Sequence, residues 1–439
     1  MLSKRQVVHL LIATAVIITV IGFACDFYNT LSYPGSDLRN RVVGARLMLD
    51  GIDPYLFKWR PGLSERFYDP LDIPTEIVSK LSVPPTVLTL HAPIAGLTYV
   101  SQKVIWLLFQ WSALIGIVWI FVRTNQSIKK KALVLAVGFC FANSLFWRFH
   151  ISSGQIYIIY AFVLAIAWFF LQRLSRYKSV VSGFFAGIAA SLRPSFLLFF
   201  IPFVVRRQYS FLLGSLVGFG SSLALSYSIV GHFIWKRYIL TILQMTGLVD
   251  LKAYLPPTEI VSPSPDIVYP TVVEGFDWSI MYPLERYFAD TSFYLPLNVL
   301  RVPNERGLLI FGLLATIVYF SVQVAKSLPK DQEMNYIFLV GVLMCLLGDF
   351  FVPIPRYPYY DVQMILPILI ILSQEKIEYA TSRKTGVVLL LGFLLSMIGF
   401  LAIPRALFFG GLLIALYATV MSIALLKRAH QKAIRLADC

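Results

Sequence analysis

The sequence predicts an all-α polytopic membrane protein, a single domain of about 12 spans (11 to 13) spread over residues 1–439. Three observations predict it. Hydrophobic residues make up 58% of the chain and charged residues only 14%, with a mean hydropathy of +0.73, so the apolar stretches are too many and too long for a soluble core. Lys and Arg fall in short clusters between those stretches, as cytoplasmic loops require. Most of the 23 acidic residues gather instead in two polar segments, about 25–102 and 231–306, read as the first and second outer loops. The net charge of +15 reflects this topology, and no nucleic-acid partner is expected.

Lys4 and Arg5 hold the N-terminus in the cytoplasm, and Val7 to Ala24 forms the first span. The run is longer than a usual signal core, and Gly22-Phe23-Ala24 before Cys25 is a poor lipoprotein cleavage context, so the span is expected to stay. It delivers Asp26, and the chain as far as about Gln102, to the outside. Val83 to Val100 is apolar, but Pro84-Pro85 and Pro93 argue for a re-entrant or interfacial segment.

Further spans are expected near 104–122, 132–147, 156–172, 179–192, 195–205, 209–230, 307–325, 335–351, 359–373, 386–403 and 407–426. The basic clusters around Lys129 to Lys131, Arg173, Arg206, Lys326, Arg383 and Lys427 then all face the cytoplasm. The runs at 179–192 and 195–205 are too short to cross ~30 Å of hydrocarbon alone, and read as a hairpin broken at Arg193-Pro194. Gly183 and Gly187 form a small-xxx-small pair for helix packing.

Within the first polar segment, Pro34-Gly35 predicts a turn, Ser36 an N-cap, and Leu38, Val42, Ala45 and Leu49 one face of a helix ending near Gly51. This helix is expected to lie on the membrane surface. Arg39 and Arg46 share another face. Asp37 occupies the first turn, where the helix dipole favours its ionised form, and an ionised carboxylate there could act as a base. The alternative is an amphipathic linker in which Asp37 only caps the helix.

Polar groups also converge at the outer ends of later spans: Arg148, His150 and Ser153-Gly154-Gln155; Arg193; Asp349; and Arg356 with Tyr357, Tyr359 and Tyr360. Arg193, between two apolar runs, needs an anionic partner or a wet cavity, and a lipid-linked phosphate would satisfy it. The cysteines, Cys25, Cys140, Cys345 and Cys439, show no metal or disulfide spacing. No metal site and no cofactor are expected.

Asp37-Leu38-Arg39, Gly44-Ala45-Arg46 and Leu49-Asp50-Gly51-Ile52-Asp53-Pro54-Tyr55 resemble the first-loop motif of glycosyltransferase family 87, polytopic GT-C enzymes that include polyprenyl-phosphate-mannose-dependent mannosyltransferases. The resemblance continues in order through Pro84-Pro85 with Ala92-Pro93-Ile94, Gly154-Gln155-Ile156, Ala190 to Pro194, Asp277-Trp278-Ser279-Ile280 through Arg286, and Pro353-Ile354-Pro355-Arg356. Arg193 stands where the family usually has Lys, Trp278 where Gln is usual, and Arg356 where Trp is usual.

This resemblance implies a GT-C-like fold in the bacterial cytoplasmic membrane, with the site facing outward and a polyprenyl-phosphate sugar, expected to be mannose, as donor. It implies Asp37 as the base, transfer of a single sugar with inversion, and a lipid or glycan as acceptor. Arg193 and Arg356 would bind the donor phosphate, and Arg46, Tyr55, Gln155, Ser279, Arg286 and Tyr359 the substrates. Glycosyl transfer passes through an oxocarbenium-like state, which needs an activated hydroxyl and a stabilised leaving group. A transporter or flippase of lipid-linked sugars would place ionisable groups near mid-membrane, and these spans are nearly free of them. An O-antigen-type polymerase would instead transfer a preassembled oligosaccharide.

Overall fold

A computed structural model describes the chain except residues 1–3, 75, 174, 246–248, 255–267, 281–304, 328–332, 352–355, 375–382, 399–403 and 438–439. Each apolar run of the sequence is helical where described. The helices are α1 Lys4–Ser32, α2 Ser36–Leu49, α3 Pro85–His91, α4 Tyr99–Thr124, α5 Ile128–Ala142, α6 Leu145–Ser152, α7 Tyr157–Leu171, α8 Lys178–Leu192, α9 Ile201–Val205 and α10 Tyr209–Met245. After a two-stranded hairpin (β1 Val272–Val273, β2 Phe276–Asp277) come α11 Glu305–Ser327, α12 Glu333–Phe351, α13 Ile365–Gln374, α14 Arg383–Ile398 and α15 Pro404–Ala437.

The expected 12 spans are not what the helix lengths give. Among the described residues six helices are long and apolar enough to cross a membrane, or seven if α5 and α6, bent by 56° at Asn143-Ser144, form one span. The shortfall is geometric. α7 and α8 each have 15 residues, roughly 22 Å of helix, which is less than the hydrocarbon thickness. Pro194 stops α8, and a 3₁₀ segment, Pro194–Phe200, leads into the five-residue α9. Pro358 likewise opens a 3₁₀ segment, Pro358–Met364, ahead of the ten-residue α13.

Layering follows from what each helix leaves exposed. α1, α10 and α11 keep most of their apolar surface uncovered, which suits a lipid-facing rim, whereas α12 is mostly buried and Ile365 to Leu372 of α13 are buried throughout. α8 and α10 approach backbone to backbone. A Cβ at Gly183 or Gly187 would strike the carbonyls of Phe211 or Ser215, and one at Gly214 or Gly218 those of Val180 or Phe184.

Two local expectations change. α1 continues to Ser32, so Asp26 lies inside a helix rather than in the first outer loop; it is buried, pairs with Arg148, and accepts the indole N–H groups of Trp111 (3.1 Å) and Trp147 (3.0 Å). α2 does not lie on a membrane surface either. Leu38, Val42 and Ala45 are buried as predicted, but so are Arg39, Arg41 and Arg46 on its other sides, while Leu49 is exposed. The helix is enclosed by protein, against α3, α4 and the α6–α7 junction.

Candidate active site

The start of α2 is fixed from outside its own sequence. Gly35, at φ +73°, takes the cap position expected of Ser36, and Ser36 makes no side-chain capping bond. The backbone N–H groups of Asp37 and Leu38 instead donate to the carbonyl of Ser153 at 3.0 and 3.1 Å, supplying from the α6–α7 junction the acceptor a helix N-terminus lacks. Tyr99 at the head of α4 donates to the carbonyl of Pro34 at 2.6 Å. Trp106 and Gln110, further along α4, hold the carbonyls of Gly154 (2.8 Å) and Gln155 (2.6 Å). Gly154 sits at φ +70°, where a Cβ would collide with Leu38. Thus α2 and residues 153–155 form one rigid junction.

Asp37 stands at that junction, half-buried. The Gln155 side-chain amide donates to its carboxylate, and Arg41, one turn further along α2, is close enough to act on it electrostatically. Arg41 is itself buried, donates to the carbonyl of Gly154 and lies over the Trp106 ring at 5.9 Å. Burial pushes the Asp37 carboxyl above its ordinary value of 3.8, opposed by Lys80, Arg41 and the Gln155 hydrogen bond and reinforced by Asp69. The same burial pulls Arg41 down, with Asp37 as the largest opposing influence. Enclosure thus raises the affinity of Asp37 for a proton, opposite in sign to the effect expected of the helix dipole.

The raised proton affinity fixes the sign of the pH dependence. The ionised carboxylate disappears at a higher pH than a free one would. With Asp37 as the base of a reaction, the acid limb of kcat/KM should lie above 3.8, with rate lost as pH falls through it. Lys80→Gln removes the largest charge holding the carboxyl down and should move the limb to still higher pH. A limb at or below the ordinary value, or one unmoved by Lys80→Gln, would contradict this electrostatic picture.

Beyond Gln155 the junction continues into an aromatic wall. Tyr359 is buried within electrostatic reach of Asp37 and stacks on Tyr157 (5.6 Å between centroids, 22° between planes), and Tyr157 meets Tyr360 at 4.3 Å. Arg193 lies over Tyr157 at 4.8 Å and over Tyr360 at 5.0 Å. The anionic partner its position demanded is Asp349, at 2.9 Å, with Gln363 at 3.3 Å.

The remaining expected site residues part company. Gln155 and Tyr359 come to Asp37. Arg356 is buried and paired with Asp361, five residues away in the same segment. Arg46 bonds Glu274 (2.7 Å) and the carbonyls of Ala95, Arg66 and Leu97. Tyr55 is fully buried, donates to the carbonyl of Val83 at 3.0 Å and packs on Tyr238. All three side chains have partners within the protein. Ser279 is exposed beyond the hairpin, its backbone N–H on Asp277, and no contact among the described residues joins it to Asp37. Arg286 and Pro353 to Pro355 lie outside the described residues.

Sequence reasoning missed Arg41, Lys80 and Glu274. Arg41 had a local signal, an acid and a base four residues apart on one helix. Glu274 had none. It stands in the turn of the β1–β2 hairpin at φ +49°, followed by Gly275 at φ +82°, and its carboxylate bridges Arg39 (2.9 Å) and Arg46 (2.7 Å), tying the second polar segment to α2. Among the described residues no group of three or more His, Cys, Asp or Glu side chains is placed to hold a metal ion.

Residues 83–262 match glycosyltransferase family 87, consistent with a GT-C glycosyltransferase and with the resemblance read from the motifs. The match points to membrane glycosyltransferase activity. It includes Gln155 and Arg193 and begins after Asp37. Searches of curated proteins and of solved structures each returned no match.

Proposed function

We propose that this chain is a membrane glycosyltransferase that moves a single sugar, mannose by family resemblance, from a polyprenyl-phosphate donor to an acceptor hydroxyl at the outer face, with Asp37 as base. The observation that carries the reading is Asp37 itself: a carboxylate of raised proton affinity, oriented by Gln155 and set where the aromatic wall of the bundle meets the two polar segments. Asp37 takes the proton of the acceptor hydroxyl as its oxygen attacks the anomeric carbon. The bond to the phosphate oxygen breaks with its electron pair, the configuration inverts, and polyprenyl phosphate leaves.

The leaving phosphate needs a cation near the membrane boundary, and Arg193 suits that task. Asp349 and Gln363 engage only part of its donor set among the described residues, and a guanidinium can meet a phosphate with two further N–H groups. Arg356, closed on Asp361, serves the donor by shaping the segment that carries Tyr359 and Tyr360. The basic clusters on the opposite ends of the spans support an outward-facing site.

The test is transfer of label from a polyprenyl-phosphate [³H]mannose donor by purified protein in liposomes. Wild type should release polyprenyl phosphate and label an acceptor, and Arg193→Ala should raise the donor KM by about 10-fold or more, with Arg193→Lys less affected. Since Arg193→Ala strands Asp349, the double variant with Asp349→Asn separates folding from recognition: it should restore folding but not donor affinity. No transfer from such a donor by wild type, or wild-type donor affinity in Arg193→Ala, overturns the reading.

A further inference from the structure

Beside α2, away from the aromatic wall, lies a cavity of about 220 Å³ with no role in the chemistry described so far. Its lining is aromatic and polar together. Trp59 meets Tyr68 at 4.6 Å and Tyr269 at 6.2 Å, and the Tyr68 and Tyr269 rings stack at 6.1 Å and 16°. Asn40 and Asp69 share the lining, joined by a 3.1 Å hydrogen bond from the Asn40 amide. The other Asp69 oxygen accepts the backbone N–H of Leu71 at 3.0 Å. A carboxylate offers about four lone-pair sites, so Asp69 and the Asn40 carbonyl keep acceptor capacity for hydroxyl donors.

Space and position narrow the ligand. A cavity of about 220 Å³ has room for a group the size of one sugar ring. A pyranose presents hydroxyls around its edge and an apolar C–H face, which matches a lining that offers a carboxylate, an amide and aromatic rings together. Asn40 lies three residues beyond Asp37 on the same face of α2, and Asp69 is near enough to act on the Asp37 carboxyl.

We propose that this cavity is the acceptor subsite, holding a terminal hexose of a glycan or glycolipid between the Trp59–Tyr68–Tyr269 rings and the Asn40–Asp69 pair, with one hydroxyl directed to Asp37. This rests on Asp37 being the base, and it narrows the acceptor to a saccharide. Arg39 ties the subsite to α2 by donating to the carbonyls of Tyr68 (2.9 Å) and Glu65 (2.8 Å), so the rings move with the helix that carries the base.

Saturation-transfer NMR on the full-length protein in a sugar-free detergent, with methyl α-mannopyranoside and methyl α-glucopyranoside as probes, tests binding without turnover. Wild type and Asp37→Asn should both give hexoside signals. Trp59→Ala and Tyr269→Ala should each reduce the signal at least 5-fold, Trp59→Phe should restore most of it, and a polyprenyl-phosphate mannose donor should leave it unchanged. Absence of a signal in wild type, or signals unaltered by both alanine variants, overturns the proposal. Displacement by the donor does so too, since it would make the cavity the donor's. Loss of transfer is not the readout, so failure of the subsite and failure of Asp37 as base appear in different experiments.

Discussion

Asp37→Asn should insert and fold like wild type while sugar transfer falls by about 10² to 10⁴-fold, the usual cost of removing a general base. The structure explains why folding should survive. Asparagine keeps the size of the side chain and an oxygen able to accept the Gln155 amide, and the helix start is held by backbone bonds to Ser153 that the substitution does not touch. Two aspartates of the same segment serve as controls. Asp50 is largely exposed, 3.9 Å from Arg66, and Asp50→Asn should leave the rate near wild type. Asp53 accepts the Tyr55 backbone N–H at 2.9 Å and pairs with Arg237 at 3.2 Å, so Asp53→Asn should cost stability before it costs chemistry. Near-wild-type transfer by Asp37→Asn, or complete loss in well-folded Asp50→Asn, would assign the base to another group.

The second large effect concerns Glu274. Its carboxylate is the shared partner of Arg39, whose side chain is fully buried, and Arg46, which is 4% exposed. Removing it leaves two enclosed guanidiniums repelling each other. Breaking a buried pair this way costs about 3–5 kcal/mol, and Glu274→Ala should lower the thermal midpoint in detergent accordingly. Glu274→Gln keeps a hydrogen-bond acceptor and should lose less. Because the same arginines bond the carbonyls of Glu65, Tyr68, Ala95 and Leu97, the damage should spread to the segment beside Asp37 and reduce transfer as well. A double-mutant cycle of Glu274→Ala with Arg46→Met isolates the pair: a coupling near zero would show that the hairpin docks by some other contact.

Asp37 and Glu274 differ in how much of their setting is local. Asp37 is legible in sequence because a Pro34-Gly35 turn and the apolar spacing beyond it place the residue in the first turn of a helix, and turn and helix signals are short-range. Glu274 is invisible there. It lies 235 residues from Arg39 and 228 from Arg46, and nothing around a Glu-Gly turn says which cations it will meet. Arg193 is an intermediate case. An arginine between apolar runs announces that it needs an anion, but Asp349, 156 residues on, is supplied by the packing of α12 beside the break after α8.

The sequence by itself determined the helical membrane class, the position of nearly every helix, the break at Arg193-Pro194 and the place of Asp37 in the first turn of α2. All of these rest on short-range physics: transfer of apolar side chains out of water, proline's missing N–H, and the unpaired groups of a helix N-terminus. Tertiary structure decided which helices are long enough to cross and which are half-length pieces sheltered by neighbours. It decided that α2 is enclosed by protein rather than spread on lipid, because an apolar stripe records that burial is needed and not what provides it. It also decided the charge environment of Asp37. The Gln155 amide lies 118 residues away, and the burial that raises the carboxyl's proton affinity exists only once α2 has docked on the junction of α6 and α7.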